Sequence, residues 1–353
     1  MTVLLCPGQG AQAVGMGKAW RDASPAAAKV FVEADAFLDG HPLFGAFFKT
    51  IGVSLSELCF AGPAETLNRT DISQPAIYVC SIACAAGLAE CGVVPAGAFS
   101  DTAGLSLGEY TALHLAGAFS FLEGLELVAT RGMLMQQAAV ASQGGMLALV
   151  GADEAQALAV CDAALMEGHA GEVLVCANFN APGQIVLSGS AAACDWANTV
   201  AGTMGLRATR LTVAGAFHSP LMQPAADRLA AALEGVEFRR PRCVVWSNVT
   251  AQPHPTAAWE QGDRELLRRR LVEQLVRPVR WAETCGTLTR PSGEHPSEGQ
   301  SPGGLRGRGP FHELAPGTVL KGLMRRIDRS CEVINHDQPA ALTPVVVQPE
   351  AKP

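Results

Sequence analysis

Apolar and polar positions along this chain follow two periods, and the switches between them divide it into strands and helices. Residues 3–6 (VLLC) form an unbroken apolar run of strand length, which predicts a strand buried on both faces. PGQGAQAVGMG follows as a glycine-rich loop. Ser24-Pro25 predicts a helix start with proline at the first helical position, running to about Leu38. Ser54 and Glu57 have capping-box spacing for a short helix. Pro75 opens an apolar helix, QPAIYVCSIACAAGLAEC, that stops at Gly92. Residues 96–103 predict the next strand, although Ser100, Asp101 and Thr102 are poor material for a buried parallel strand. A helix at 107–116 follows. Ser120 and Glu123 then start the helix that carries Arg131.

Residues 142–213 carry a self-contained pattern. MLALVG is a strand, DEAQALAVCDAAL a helix, and EVLVCANF and QIVLSGS are strands joined by a tight NAPG turn. AAACDWANTVAGTMG is a helix and LRATRLTV a last strand. That is the ferredoxin-like order, β-α-β-β-α-β. It predicts a small lobe inserted into a larger α/β domain made of 1–141 and 214–336. The large domain resumes at AGAFHSPLM, with a strand at 243–249 and a basic helix and its exit at 264–280, read as a solvated face. Residues 290–310 are rich in Pro and Gly without periodicity, which predicts a flexible surface insertion. HELAPGTVLKGLMRRI predicts a strand end, a turn and a helix, and 337–353 a disordered tail.

Composition narrows the class. At 353 residues, with 48% hydrophobic and 17% charged residues, the chain fits a soluble globular enzyme with more than one core. A net charge of −7 argues against nucleic-acid binding. The 11 cysteines are scattered without C-x-x-C spacing, as expected for reduced, buried thiols of a cytoplasmic protein, with neither a disulfide framework nor a metal site. No apolar run suggests a membrane span, and no targeting signal is visible.

The candidate chemistry centres on GLSLGEY, 104–110, a G-x-S-x-G pattern. A tight strand-to-helix turn there would push the Ser106 hydroxyl out at the top of the sheet, with Gly104 and Gly108 placed where a Cβ would clash. The oxygen would lie near a helix N-terminus, where free N–H groups favour developing negative charge. Two other features bear on this. The PGQGAQAVG loop resembles a dinucleotide fingerprint, but the acids at about the right distance, Glu33 and Asp35, fall inside a helix. The alternative is a loop that brings backbone N–H groups, with Gln9 central, close to a reacting atom. Arg131 has only Leu127, Val128, Leu134 and Met135 at helical spacing, so no acid on its own helix can pair with it. Its anion is either another segment of the protein or a substrate carboxylate held bidentately. His218, in a loop after a strand and beside small residues, is the histidine best placed to serve an exposed serine as base. His41, His254, His295 and His336 show no such context.

Seven stretches together, PGQGAQ, SQPA, GLSLGEY, RGMLMQQA, FHSPLM, EQLVRPVRW and APGTVLKGL, occur in the order found in malonyl-CoA:acyl carrier protein transacylases. They also resemble the acyltransferase domains of polyketide and fatty-acid synthases. The likeness spans 3–327. Leu105 stands where histidine is usual, APG where GPG is common, and the 290–310 insertion and the tail are extra. The resemblance implies an α/β-hydrolase-like large domain with a parallel sheet, and a ping-pong transfer of malonyl through Ser106, supplying fatty-acid synthesis. The alternatives are a serine thioesterase or hydrolase, or a trans-acting acyltransferase of polyketide synthesis. At matching positions, His218 would be the base and then the acid, and Gln274 would lend its backbone carbonyl to the imidazole. Gln9 and Leu107 would supply the oxyanion N–H groups, and Arg131 would clamp the malonyl carboxylate. No cofactor is expected. The partners are malonyl-CoA and an acyl carrier protein, and the chain is expected to be a monomer without nucleic acid or membrane.

Overall fold

A computed structural model describes residues 2–166, 171–256, 259–290 and 309–339. Nearly all of the 290–310 insertion, and the tail beyond Pro339, lie outside the described residues. Five parallel strands form the main sheet: β1 (Val3–Cys6), β2 (Asp101–Gly104), β7 (Val244–Val245), β8 (Phe311–Leu314) and β9 (Val333–His336), in the order β7-β2-β1-β8-β9. The apolar VLLC run takes the centre, where both faces are covered, and Cys6 pairs with Gly104 at the carboxyl end. Loops leaving that end carry the residues singled out above, as expected for open α/β sheets.

The weak strand material of β2 has a partner that its own stretch does not reveal. The strand begins at Asp101, later than expected, and Trp246 Nε1 donates to Asp101 Oδ1 at 3.1 Å. A buried acid is tolerated there because it is hydrogen-bonded. The apolar helix spans Thr70–Glu90, with Pro75 in its second turn rather than at its start. The proline removes one hydrogen bond close to a terminus, where the loss is smallest. By length and composition this stretch, like Pro42–Ala61, could cross a bilayer, yet 83% of its most apolar window is buried inside the protein. It packs most closely against Phe121–Ser142, whose capping box forms between Ser120 and Glu123 as expected.

The small lobe is built from β3 (Gly144–Val150), β4 (Leu174–Ala181), β5 (Gln184–Ser190) and β6 (Arg207–Arg210), antiparallel throughout and ordered β4-β5-β3-β6. Strand alternation divides its residues between two cores. Leu147, Leu149, Ile185 and Leu187 pack with the lobe's own helices, whereas Met146 and Val186 join the core of the large domain. Period-two geometry lets one sheet serve both. The lobe is tied down by backbone bonds, Val279 N to Ala177 O at 2.8 Å and Phe179 N to Val279 O at 2.9 Å.

Further expectations are corrected. β9 forms at Val333–His336, a strand absent from the predicted elements. Asp337, expected in the disordered tail, accepts from Gly317 N at 2.6 Å. The basic helix, Gln261–Glu273, is not simply a solvated face: Arg268 and Arg270 turn inward to the carbonyls of Leu233, Val236 and Pro253. His254 and His336 are buried, and His336 stacks on His312 of β8.

Candidate active site

β2 ends at Gly104, and the helix Gly108–Leu115 begins four residues later. Between them Ser106 has φ 51°, a left-handed conformation unusual for a residue with a side chain. The flanking glycines are required sterically. A Cβ on Gly104 would lie 1.8 Å from the carbonyl carbon of Gly108, and one on Gly108 would lie 2.1 Å from the Cys6 oxygen. Gly8 belongs to the same contact, since a Cβ there would meet the Leu105 oxygen at 2.1 Å. The glycine-rich loop after β1 is thereby pressed against the turn that carries Ser106. Asn248, just after β7, braces that turn from outside. Its Oδ1 accepts from Ser106 N at 2.6 Å, and its Nδ2 donates to Gly104 O at 2.7 Å.

Ser106 Oγ lies 2.8 Å from His218 Nε2, and His218 Nδ1 lies 2.7 Å from the backbone oxygen of Gln274. A carbonyl can only accept, so Nδ1 carries the proton and Nε2 offers its lone pair to the serine hydroxyl. Burial, then the nearby Arg131 charge, push the His218 imidazole down to about 4, against the opposing pull of the Gln274 carbonyl. The imidazole is therefore neutral at neutral pH and able to take a proton. His218 also has a positive φ, 56°.

Arg131 is buried, and among the described residues no acid pairs with its guanidinium. Nη1 donates to Gln74 Oε1 at 2.6 Å, while Nη2 donates to Gln274 Oε1 at 2.9 Å and to Ser106 Oγ at 3.1 Å. Its Cζ stands 5.4 Å from the centre of the Tyr110 ring. Burial lowers its pKa from the usual arginine value. Of the two alternatives open from the sequence, an ion pair with another protein segment is not what forms: the partners are two carboxamides and the serine hydroxyl.

Leu107 directly follows the serine, and Gln9 follows Gly8, which packs against Leu105. Gln9 Nε2 donates to Thr70 Oγ1 at 3.3 Å, and Leu107 starts the helix after the turn. Among the described residues neither backbone N–H donates to a protein acceptor. The fold thus brings together Ser106, His218, Gln274 and Arg131, and sets Gln9 and Leu107 beside them.

Four residues of the site were not singled out in the sequence. Gln74 lies in SQPA and touches Arg131. Asn248 holds the turn. Glu109 and His254 are buried side by side, His254 Nε2 donating to Glu109 Oε1 at 2.6 Å. Only Glu109 gave a local signal, being an acid in an otherwise small and apolar helix turn. Among the described residues no group of three or more His, Cys, Asp or Glu side chains is arranged to hold a metal.

The chain is similar to known proteins over nearly its whole length. Residues 3–294 match the acyl transferase domain family. The chain is 37% identical over 339 residues to the malonyl CoA-acyl carrier protein transacylase of Bacillus subtilis, covering 96% of this chain and 94% of that protein. It is 33% identical to the polyketide biosynthesis malonyl CoA-acyl carrier protein transacylase of the same organism, over 95% and 99% of the two chains. A solved malonyl-transacylase, in complex with its type II PKS acyl-carrier protein, superposes with a TM-score of 0.81 at 34% identity, covering 97% of both chains. By sequence over nearly its whole length, and by fold, this chain belongs to the malonyl-CoA:acyl carrier protein transacylase family.

Proposed function

We propose that the chain transfers a malonyl group from malonyl-CoA to the phosphopantetheine thiol of an acyl carrier protein, with Ser106 carrying it in between. The observation behind the site assignment is Arg131, a buried cation without an acid partner among the described residues, whose Nη2 lies 3.1 Å from Ser106 Oγ. A plain ester or thioester gives such a group nothing to bind. An acyl chain ending in a carboxylate does, through two parallel charge-assisted hydrogen bonds.

The steps follow from the geometry. His218 Nε2 takes the hydroxyl proton as Ser106 Oγ bonds to the thioester carbonyl carbon. The oxyanion is met by the Gln9 and Leu107 N–H groups. The C–S bond breaks, and the imidazolium returns its proton to the departing CoA sulfur. The carrier thiol then gives up its proton to His218, attacks the malonyl-serine ester, and Ser106 is released with its proton restored. Thioester and oxygen ester exchange without an outside energy source, so placement and charge stabilisation suffice. Gln274 supplies a neutral carbonyl in the place where hydrolase triads hold a carboxylate. An anion there would lie near the malonyl carboxylate and oppose its binding.

All of these groups come from one chain, which supports a monomer, and 11 free cysteines fit a reducing cytoplasm. Sedimentation checks the first point. The deciding experiment is intact-mass measurement after mixing with malonyl-CoA, followed by addition of holo-carrier protein. An adduct on Ser106 that moves to the carrier supports the transfer. Release of free malonate without transfer supports a hydrolase instead.

A further inference from the structure

Glu109 takes no part in the steps above, yet it is fully buried three residues beyond Ser106. Its carboxylate accepts three N–H groups. Oε2 takes Asn248 N at 3.1 Å and Gln274 Nε2 at 2.6 Å, and Oε1 takes His254 Nε2 at 2.6 Å. His254 Nδ1 is buried and without a partner among the described residues. Arg270 gives its Nη1 to the Pro253 carbonyl at 2.9 Å.

A second buried charge, Arg131, stands across the Gln274 carboxamide from Glu109. Gln274 turns Nε2 to Glu109 Oε2 and to the Ser106 carbonyl, at 2.6 and 3.0 Å, and Oε1 to Arg131 Nη2 at 2.9 Å. The two ends of a carboxamide are alike in size, so shape alone does not choose between its two settings. Charge does. Reversed, the NH2 would face the guanidinium and the oxygen would face the carboxylate, two like-sign contacts in a dry interior.

We propose that Glu109 is a positioning residue: it fixes the Gln274 carboxamide and through it aims Arg131 at the substrate carboxylate. Direct contact between Glu109 and Arg131 would satisfy the guanidinium from within the protein, and a substrate carboxylate would then have to displace it. Held one residue away, the anion offsets the buried cation and leaves it with neutral partners only, which a substrate carboxylate displaces more readily than a carboxylate of the protein. This rests on the reading that Arg131 receives the malonyl carboxylate.

The test is a double-mutant cycle on the whole chain, with Glu109→Gln, Arg131→Ala and the double variant. The readout is kcat/KM for acylation by malonyl-CoA and by acetyl-CoA. Glu109→Gln keeps the shape but can present either an N–H or an oxygen to Gln274, so only the Ser106 carbonyl still favours the native setting and the carboxamide is held less firmly. Malonyl acylation is expected to fall on the order of tenfold to a hundredfold, with a clearly smaller fall for acetyl. In the Arg131→Ala background the malonyl-specific loss disappears. Equal losses on both thioesters, or losses that multiply in the double variant, would overturn the proposal.

If Glu109→Gln does not fold, Gln274→Met serves instead. It removes the carboxamide but keeps the side-chain length and the backbone carbonyl used by His218. The same malonyl-selective loss is expected, and an unchanged malonyl-to-acetyl ratio overturns the proposal. Arg131→Ala alone tests the reading beneath. If it leaves that ratio unchanged, the carboxylate assignment fails. If it changes the ratio and Glu109→Gln does not, only the role of Glu109 fails.

Discussion

Two buried histidines are tied to Gln274, His218 directly and His254 through Glu109, and the protein gives them opposite partners. His218 turns Nδ1 to a neutral backbone carbonyl, and His254 turns Nε2 to the Glu109 carboxylate. The difference separates two tasks. A base that must begin uncharged is given a partner that fixes its tautomer without holding a proton on it. The carboxylate stands on the far side of an amide, where it acts on Arg131 without raising the basicity of His218 by contact. Keeping the two apart allows a buried cation and a neutral base to share one serine hydroxyl.

The largest effect should come from breaking the nucleophile side. Ser106→Ala should lower transfer by on the order of ten-thousand-fold or more, as when a triad nucleophile is lost. It should also abolish the malonyl adduct in intact-mass spectra. An adduct surviving on another residue would place the chemistry elsewhere.

Breaking the charge side should be selective instead. Arg131→Ala should lose on the order of a hundredfold or more in malonyl kcat/KM, since charge-assisted hydrogen bonds contribute about 1.5–3 kcal/mol each. Acetyl transfer should hold or rise, because a desolvated charge that the acetyl group leaves unpaired is removed. Arg131→Lys should recover only part of the loss, since an ammonium cannot present a planar fork. Equal losses with both thioesters would make the arginine structural.

The pH profile sharpens the contrast between the two imidazoles. His218 must be neutral to act, and burial together with Arg131 holds it down to about 4. The kcat/KM plateau should therefore extend below the ordinary histidine range and fall only as the pH approaches that value. An unshifted imidazole, near pH 6.5, would already have lost about tenfold at pH 5.5. In Arg131→Ala one of the two depressing causes is gone, so the acid limb should move to higher pH. A wild-type limb near 6.5, with acylation rate-limiting, would contradict this. The smallest effect is expected at Asn248, whose side chain holds the turn and whose backbone N–H binds Glu109. Asn248→Ala should cost about 1–3 kcal/mol of stability by leaving the Ser106 N–H and the Gly104 carbonyl without their partner. Thermal or urea unfolding checks it.

What could be read in the sequence was what neighbouring residues decide. The turn at Ser106 was legible because sterics demand glycine at 104 and 108. The small lobe was legible because two-residue alternation and turn residues repeat through it, and the helix start at Ser120 because its cap is local. Misread elements depend on distant partners. Asp101 suits a buried strand only beside Trp246, and β9 is a short edge strand that exists by pairing with β8. Pro75 resembled a helix start because the turn before it, Thr70–Gln74, is polar, and its burial against other helices is invisible in the chain. Within the site, Asn248 and His254 meet the Ser106 segment across about 140 positions of chain. No local pattern announces such a pair. Arg131 was legible for the converse reason, because its own helix offers it nothing.

The left-handed backbone at Ser106 and His218 bears on the history of such chains. For residues with a Cβ this conformation costs about 1–2 kcal/mol, and here it falls on the two side chains placed to exchange a proton. Folding alone gives both positions reason to drift, and only activity retains them. Descendants that have abandoned acyl transfer should lose this serine and histidine early. Gly104 and Gly108 should persist in the same descendants, because excluded volume demands them and chemistry does not.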